Sequence, residues 1–264
     1  MAIPLRGPNA RQRDTGHSNP ERIMSITAHL DELRRRLMRA IASTLMAAAG
    51  LATVWKRLLH MVLWPWLWAE VGRKAVTHPM LLTLSPTEPF FTVINVVLAV
   101  AVVLTSPIWV YELWMYLAPV LPMAHRRWVG QALAVGLVLF WIGVGFSFGL
   151  LIPASLRFLL TFASTVFTES LRAGYYLGFV TTFSLAFGLL FTIPTWMGVA
   201  VKLGWIRMDQ LRKGRRMALF ASAVLAAAVV PSQDPLTLAA AILPVYGLYE
   251  ATVQLSRWIR PLEH

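Results

Sequence analysis

Three stretches of this chain hold no charged residue over a length that can cross a lipid bilayer: Pro89 to Tyr111, Trp128 to Leu156 and Ala173 to Val201. Each exceeds the ~20 residues that a helix needs to traverse the hydrocarbon core. A soluble fold would have to bury three helices that are apolar all round, which a single domain of this size has too little interior to do. Composition agrees: 57% of the 264 residues are hydrophobic and 14% charged, against roughly 25% charged in soluble domains. The reading is an all-α integral membrane protein.

Around these three blocks the rest of the chain falls into place. Residues 1–24 are polar, without apolar periodicity, and read as a mobile tail. From Ile26 onward, Leu30, Leu33 and Leu37 recur at helical spacing among Asp31, Glu32 and a run of arginines, the pattern of an amphipathic surface helix leading into a first span. A Trp-rich segment near Pro65 suits a membrane-water boundary, with Pro65 itself in a turn. Two shorter apolar blocks close the chain, separated by a segment that holds Asp234. They read as short spans in thinned lipid or as a hairpin that does not fully cross. The expected membrane domain is residues 25–260, with spans at about 38–56, 89–112, 128–156, 173–201, 217–231 and 235–256, and a tail at 261–264.

The net charge of +12 invites a nucleic-acid reading, but the basic residues sit in the loops between apolar blocks, where they report orientation. With a cytoplasmic N-terminus, only Lys56, Arg57, Arg73, Lys74, Arg157 and Arg172 of the 24 Lys and Arg fall outside. The positive-inside rule therefore predicts both termini in the cytoplasm and no nucleic-acid partner.

Enzyme signals fail. The chain has no Walker phosphate loop, no His-Glu-x-x-His helix, no Gly-x-Ser-x-Gly elbow and no Cys, and the uncharged block centres leave no proton relay. Neither catalytic residues, nor a metal, nor a cofactor are expected. Gly145/Gly149 and Gly174/Gly178 have the small-xxx-small spacing that packs membrane helices.

A specific resemblance resides in a series of motifs. His29-Leu30-Asp31-Glu32-Leu33-Arg34-Arg35-Arg36-Leu37 resembles the HLxELRxRL opening helix of the TatC family, the receptor subunits of the twin-arginine protein translocase. Pro89-Phe90-Phe91 resembles the family's second-span start. Ser106-Pro107 with Tyr111 to Pro119, through Glu112 and Tyr116, resembles its SxP…YQxWxFxxP signature. Ala186-Phe187-Gly188 with Pro194 resembles the fourth span, and Asp234 and Glu250 suit the last hairpin. The resemblance covers about residues 26–257.

It implies a concave six-span assembly in a prokaryotic cell membrane. Such a receptor binds the twin-arginine signals of folded precursors at the cytoplasmic face and gathers single-span TatA and TatB partners, with export driven by the proton-motive force. Homo-oligomers within the translocase are implied too. Carboxylates read paired guanidinium groups best, because each accepts two parallel hydrogen bonds from the Arg fork. Glu32 is the foremost acceptor, with Asp31, Arg34, Tyr116, His125, Arg126 and Arg127 around it. Taken alone, Glu32 also suits a surface helix pair with Arg35 or Arg36, and Glu112 suits a helix end at the interface. Pro65, Pro107, Glu112, Pro119, Thr192, Pro194, Asp234 and Glu250 are the expected partner-contact or structural positions. Two residues depart from the family. His125 stands where a second signal-binding Glu usually precedes the basic pair, and Thr192 where the fourth span usually has Glu or Gln. Asp31 and Glu112 are available as replacement negative charge. The rival readings are a non-exporting paralogue that serves as an assembly scaffold and a small-solute transporter.

Overall fold

The computed structural model describes residues 26–69, 81–162, 172–206, 208–230 and 235–255; the expected tails and Asp234 lie outside them. All regular structure among the described residues is helical. Helix α1 (Ile26–Ala52) is followed by α2 (Trp55–Val62), α3 (Trp64–Ala69), α4 (Glu88–Leu117) and α5 (Met123–Phe146). A π-helical turn (Ser147–Leu151) joins α5 to α6 (Ile152–Phe162). Then come α7 (Ala173–Lys202), α8 (Met208–Lys213), α9 (Arg215–Val229) and α10 (Pro235–Leu255).

The amphipathic segment and the first apolar block form one helix, so α1 begins well before residue 38. Neither Gly nor Pro interrupts the chain between Ile26 and Ala49, and nothing else breaks the helical hydrogen bonding. After Ala52 the chain turns by 93° into α2. Pro65 is not in an open turn. It occupies the second position of α3, where its missing N–H costs no helical bond, and it is fully buried.

Three helical stretches are long and apolar enough to cross a bilayer among the described residues: Glu88–Leu117, His125–Leu160 and Ala173–Lys202. The bent pair His29–Ala52 and Trp55–Trp66 is a fourth if taken as one span. Helix α9 has 15 residues, about 22 Å of length against a hydrocarbon core of ~30 Å.

Helix α7 is the axis of the fold. Its Tyr176, Val180, Phe183 and Phe187 recur on one face and are almost wholly buried, together with Leu151 at the end of the π turn and Ile152 after it. Helices α5, α4 and α10 pack around it, α1 packs on α4, and α9 on α10. Helices α5 and α7 approach each other closely. A Cβ on Gly143 would lie 2.6 Å from the Phe187 carbonyl oxygen, and one on Gly188 would lie 2.7 Å from the Phe140 ring. These two glycines let the backbones meet. Gly145, Gly149 and Gly178 face open space, and Gly174 serves a carboxylate described below, so the small-xxx-small pairs are not the packing device. Past its C-cap Leu203, α7 is closed off by Gly204 at φ +75°, a left-handed conformation that glycine adopts without penalty.

The two ends of the α4–α7 pair are fastened differently. At the Glu88 end, one carboxylate joins two connections. Glu88 Oε1 accepts from Arg172 Nε at 2.8 Å and from the Gly174 N–H at 3.1 Å, and Oε2 accepts from the Leu84 N–H at 3.0 Å. The Gly174 N–H is one of the unpaired donors at the start of α7, where a negative charge is favoured. A Cβ at 174 would stand 2.8 Å from that oxygen, so a larger residue there would push the carboxylate aside. The bond from Glu88 raises the Arg172 pKa further above its ordinary value. Toward the other end a cavity of about 440 Å³ lies between α4, α5 and α7.

Candidate functional site

The seam between α1 and α4 builds the site from the apolar middle outward. Ala48 packs with Ala101. Thr44 then meets Thr105, with 2.9 Å between their hydroxyl oxygens, and accepts from Trp109 Nε1 at 2.9 Å. Two hydroxyl protons serve this group: Thr105 donates to the Ala101 carbonyl, and Thr44 to the Ala40 carbonyl or across to Thr105. They therefore leave no unsatisfied group in a setting where one is costly.

Beyond them the seam becomes ionic. Glu112 is 8% exposed and faces two arginines of α1. Arg36 Nη1 donates to its Oε2 at 3.2 Å, and Arg39 Nη1 to its Oε1 at 3.2 Å. Glu112 is thus the counter-ion that ties α1 to α4, not a helix end at an interface. A legible signal existed: it is the only charge between Pro89 and His125, and a lone charge in so apolar a stretch requires a partner.

Arg36 also bonds Glu32 one turn away, with Nε at 3.0 Å and Nη2 at 2.5 Å, both on Oε1. The helix pair anticipated for Glu32 is present, through Arg36. It leaves the other oxygen, Oε2, buried without a partner. Next to this group the His29 and Tyr116 rings stack, centroids 4.4 Å apart and planes 15° from parallel, fastening the start of α1 to the end of α4. Asp31 and Arg34 are exposed on the same part of α1.

The basic pair lies at the start of α5. Arg126 Nε donates to the Leu121 carbonyl at 3.1 Å, bracing the turn after Pro119, which is exposed like Arg127. His125 has its Nδ1 buried with no partner. Thr192 lines the cavity, but its hydroxyl donates to the Leu189 carbonyl of its own helix at 2.7 Å. Two other hydroxyls there, of Ser106 and Thr195, are buried without partners.

Pro107 is exposed within α4, while Pro194 is buried within α7, which continues through it. The Pro194 carbonyl receives the Thr252 hydroxyl at 3.4 Å. Glu250 pairs with Arg215 at 2.6 Å, which ties α10 to the start of α9. The structure therefore brings Glu32, Arg36, Glu112 and Tyr116 with His29 together at one end of the α1–α4 seam, and sets Thr192, Pro194 and Glu250 along α7 and α10. Among the described residues no cluster of His, Asp and Glu has the makings of a metal site.

Comparison with known proteins gives consistent results. Residues 28–244 match the family model described as Sec-independent protein translocase protein (TatC). A protein of that name from Deinococcus radiodurans is 31% identical over 88% of this chain and 85% of its own length. One from Aquifex aeolicus is 31% identical over 89% of this chain and 95% of its own. Among solved structures, a twin-arginine translocase receptor TatC crystallised in DDM superposes with a TM-score of 0.72 at 31% identity, covering 86% of this chain and 98% of that one.

Proposed function

We propose, from the premise that this chain belongs to the TatC family of Sec-independent protein translocase proteins, that Glu32 is the side chain with which it reads a twin-arginine signal. The chain is a multi-pass, all-helical membrane protein with the TatC fold. It is a translocase receptor subunit of the twin-arginine pathway, and a transport receptor is not an enzyme. The solute-transporter reading gives way to that membership.

The observation that carries the Glu32 proposal is its unused oxygen. A carboxylate with one oxygen engaged by Arg36 and the other buried and unpartnered is a ready acceptor for an external guanidinium. Asp31, Arg34, Tyr116, His125, Arg126 and Arg127 surround it in this reading and shape the rest of the signal's seat. Folded precursors follow the signal, and single-span TatA- and TatB-type subunits are the partners in a homo-oligomeric translocase of the prokaryotic inner membrane. Pro65, Pro107, Pro119, Thr192, Pro194, Asp234 and Glu250 are assigned to shape and partner contact. The test is photo-crosslinking from exposed Leu30 or Leu33 to a precursor carrying Arg-Arg or Lys-Lys. Adducts are expected with Arg-Arg alone; equal labelling of both would sink the reading.

Six spans with both termini cytoplasmic complete the proposal, α9 with 15 residues and α10 with 21 being the last pair. Supporting it are the loop positions of the basic residues and the TatC fold. Because the chain has no Cys, single cysteines report sidedness directly. Cysteines at Arg34 and Arg212 are expected to react with an impermeant reagent only from the cytoplasmic side, and one at Arg172 only from the other. Labelling of 34 and 212 from opposite sides contradicts the arrangement.

A further inference from the structure

Glu32 and Glu112 share one guanidinium, and they share it unequally. Arg36 sets two donors, Nε and Nη2, on a single oxygen of Glu32, and its third nitrogen, Nη1, on Glu112. A glutamate and an arginine left to themselves favour a different arrangement. The fork then places one donor on each carboxylate oxygen in two parallel bonds, and both oxygens are filled. Here the same guanidinium is also drawn toward Glu112 through Nη1.

That pull is strong for a physical reason. The Glu112 side chain is only 10% exposed, and attraction between opposite charges grows as water is excluded. Arg39 also bonds Glu112, but its side chain is 60% exposed, so the inward-facing Arg36, at 13%, is the main counter-ion. The guanidinium is thus held between two carboxylates, and the consequence falls on Glu32, whose Oε2 is left without a bond.

We infer that Glu112 is a positioning residue for signal recognition: by drawing Arg36 out of a two-oxygen fork, it leaves one buried oxygen of Glu32 unbonded, an acceptor kept for a guanidinium that displaces what covers it. Arg36 is then an internal competitor held off its own acceptor. Take away the charge of Glu112 and Arg36 closes onto both oxygens of Glu32, occupying the seat that the signal needs. The inference rests on Glu32 as the arginine acceptor, as proposed above.

The experiment measures binding of a synthetic twin-arginine signal peptide, and of its Lys-Lys version, to the full chain in nanodiscs. The variants are Glu112→Gln, Arg36→Gln and the two together. Glu112→Gln is expected to weaken the Arg-Arg peptide roughly tenfold, the worth of one charge-assisted bond, and to bring it close to the Lys-Lys peptide. Arg36→Gln in that background is expected to restore affinity and discrimination. Arg36→Gln alone, with Glu112 still paired to Arg39, is expected to tighten the Arg-Arg peptide several-fold.

A purely structural role for Glu112 predicts the reverse for the double variant, which has lost more of the α1–α4 clasp. The inference is overturned if Glu112→Gln binds like the parent, if the double variant is no better than Glu112→Gln, or if Arg36→Gln alone binds more weakly. If Glu112→Gln does not fold, the Arg36→Gln arm decides by itself. Glu32→Ala separates the two levels. Binding unchanged by Glu32→Ala removes the acceptor reading and this inference with it. Binding lost there, with no rescue by Arg36→Gln, removes this inference alone.

Discussion

Glu32→Ala is expected to weaken capture of an Arg-Arg signal by roughly tenfold to a hundredfold while leaving the membrane domain intact. With Oε1 engaged by Arg36, Oε2 is the oxygen left to accept from the signal. One charge-assisted bond is worth about 1.5–3 kcal/mol when a buried group would otherwise stay unpaired. The fold tolerates the change because Arg36 keeps its bond to Glu112, and the α1–α4 seam below is carried by Thr44, Thr105 and Trp109. Peptide anisotropy titration alongside thermal unfolding of the purified protein separates the two effects. Normal binding by Glu32→Ala protein excludes the proposed acceptor. A binding loss matched by a fall in unfolding temperature assigns Glu32 to stability instead.

The other large effect is structural. Gly143→Leu is expected to prevent α5 and α7 from closing, and even Gly143→Ala is expected to destabilise. The added Cβ meets the Phe187 carbonyl at 2.6 Å and the Phe191 side chain at 2.9 Å, and a main-chain oxygen inside a helix cannot swing aside. Helix association within lipid draws on van der Waals packing with no hydrophobic drive to compensate, and a gap of one ångström forfeits a quarter to a half of each contact. Overpacking of this kind costs about 1–3 kcal/mol for a methyl group and more for a branched chain. Gly145→Ala and Gly149→Ala are the controls, since nothing stands within 4 Å of either position. Thermal unfolding in detergent checks the contrast. Equal stability of Gly143→Ala and Gly145→Ala contradicts the close approach of α5 and α7.

That contrast shows where sequence reading reaches its limit. The spacing of Gly145 and Gly149 is a property of one helix, whereas the glycines that pack, Gly143 and Gly188, sit on two helices, and only their apposition gives them a role. The three long spans were legible because a run without charge has few other places to go. Their ends were less so: α4 continues through Trp114 to Leu117, past Glu112, since a single charge ends no helix once it is paired across the seam. In the candidate site, Glu32 and Arg36 are neighbours by helical spacing alone. The vacant oxygen of Glu32 is not legible that way, because it depends on Glu112, 80 residues on, taking hold of the same guanidinium. The last pair, α9 and α10, could be located, but composition did not decide between full crossing and a hairpin.

The clasp at Glu88 has a mechanical consequence. It pivots α4 and α7 together at one end, while the space between α4, α5 and α7 lies along their far halves, from Val102 to Leu113 on α4 and from Leu189 to Val199 on α7. With 30 residues, α4 is a lever of about 45 Å. A tilt of about 5° about the Glu88 hinge sweeps its Leu117 tip through about 4 Å, carrying Glu112 and the attached α1 with it.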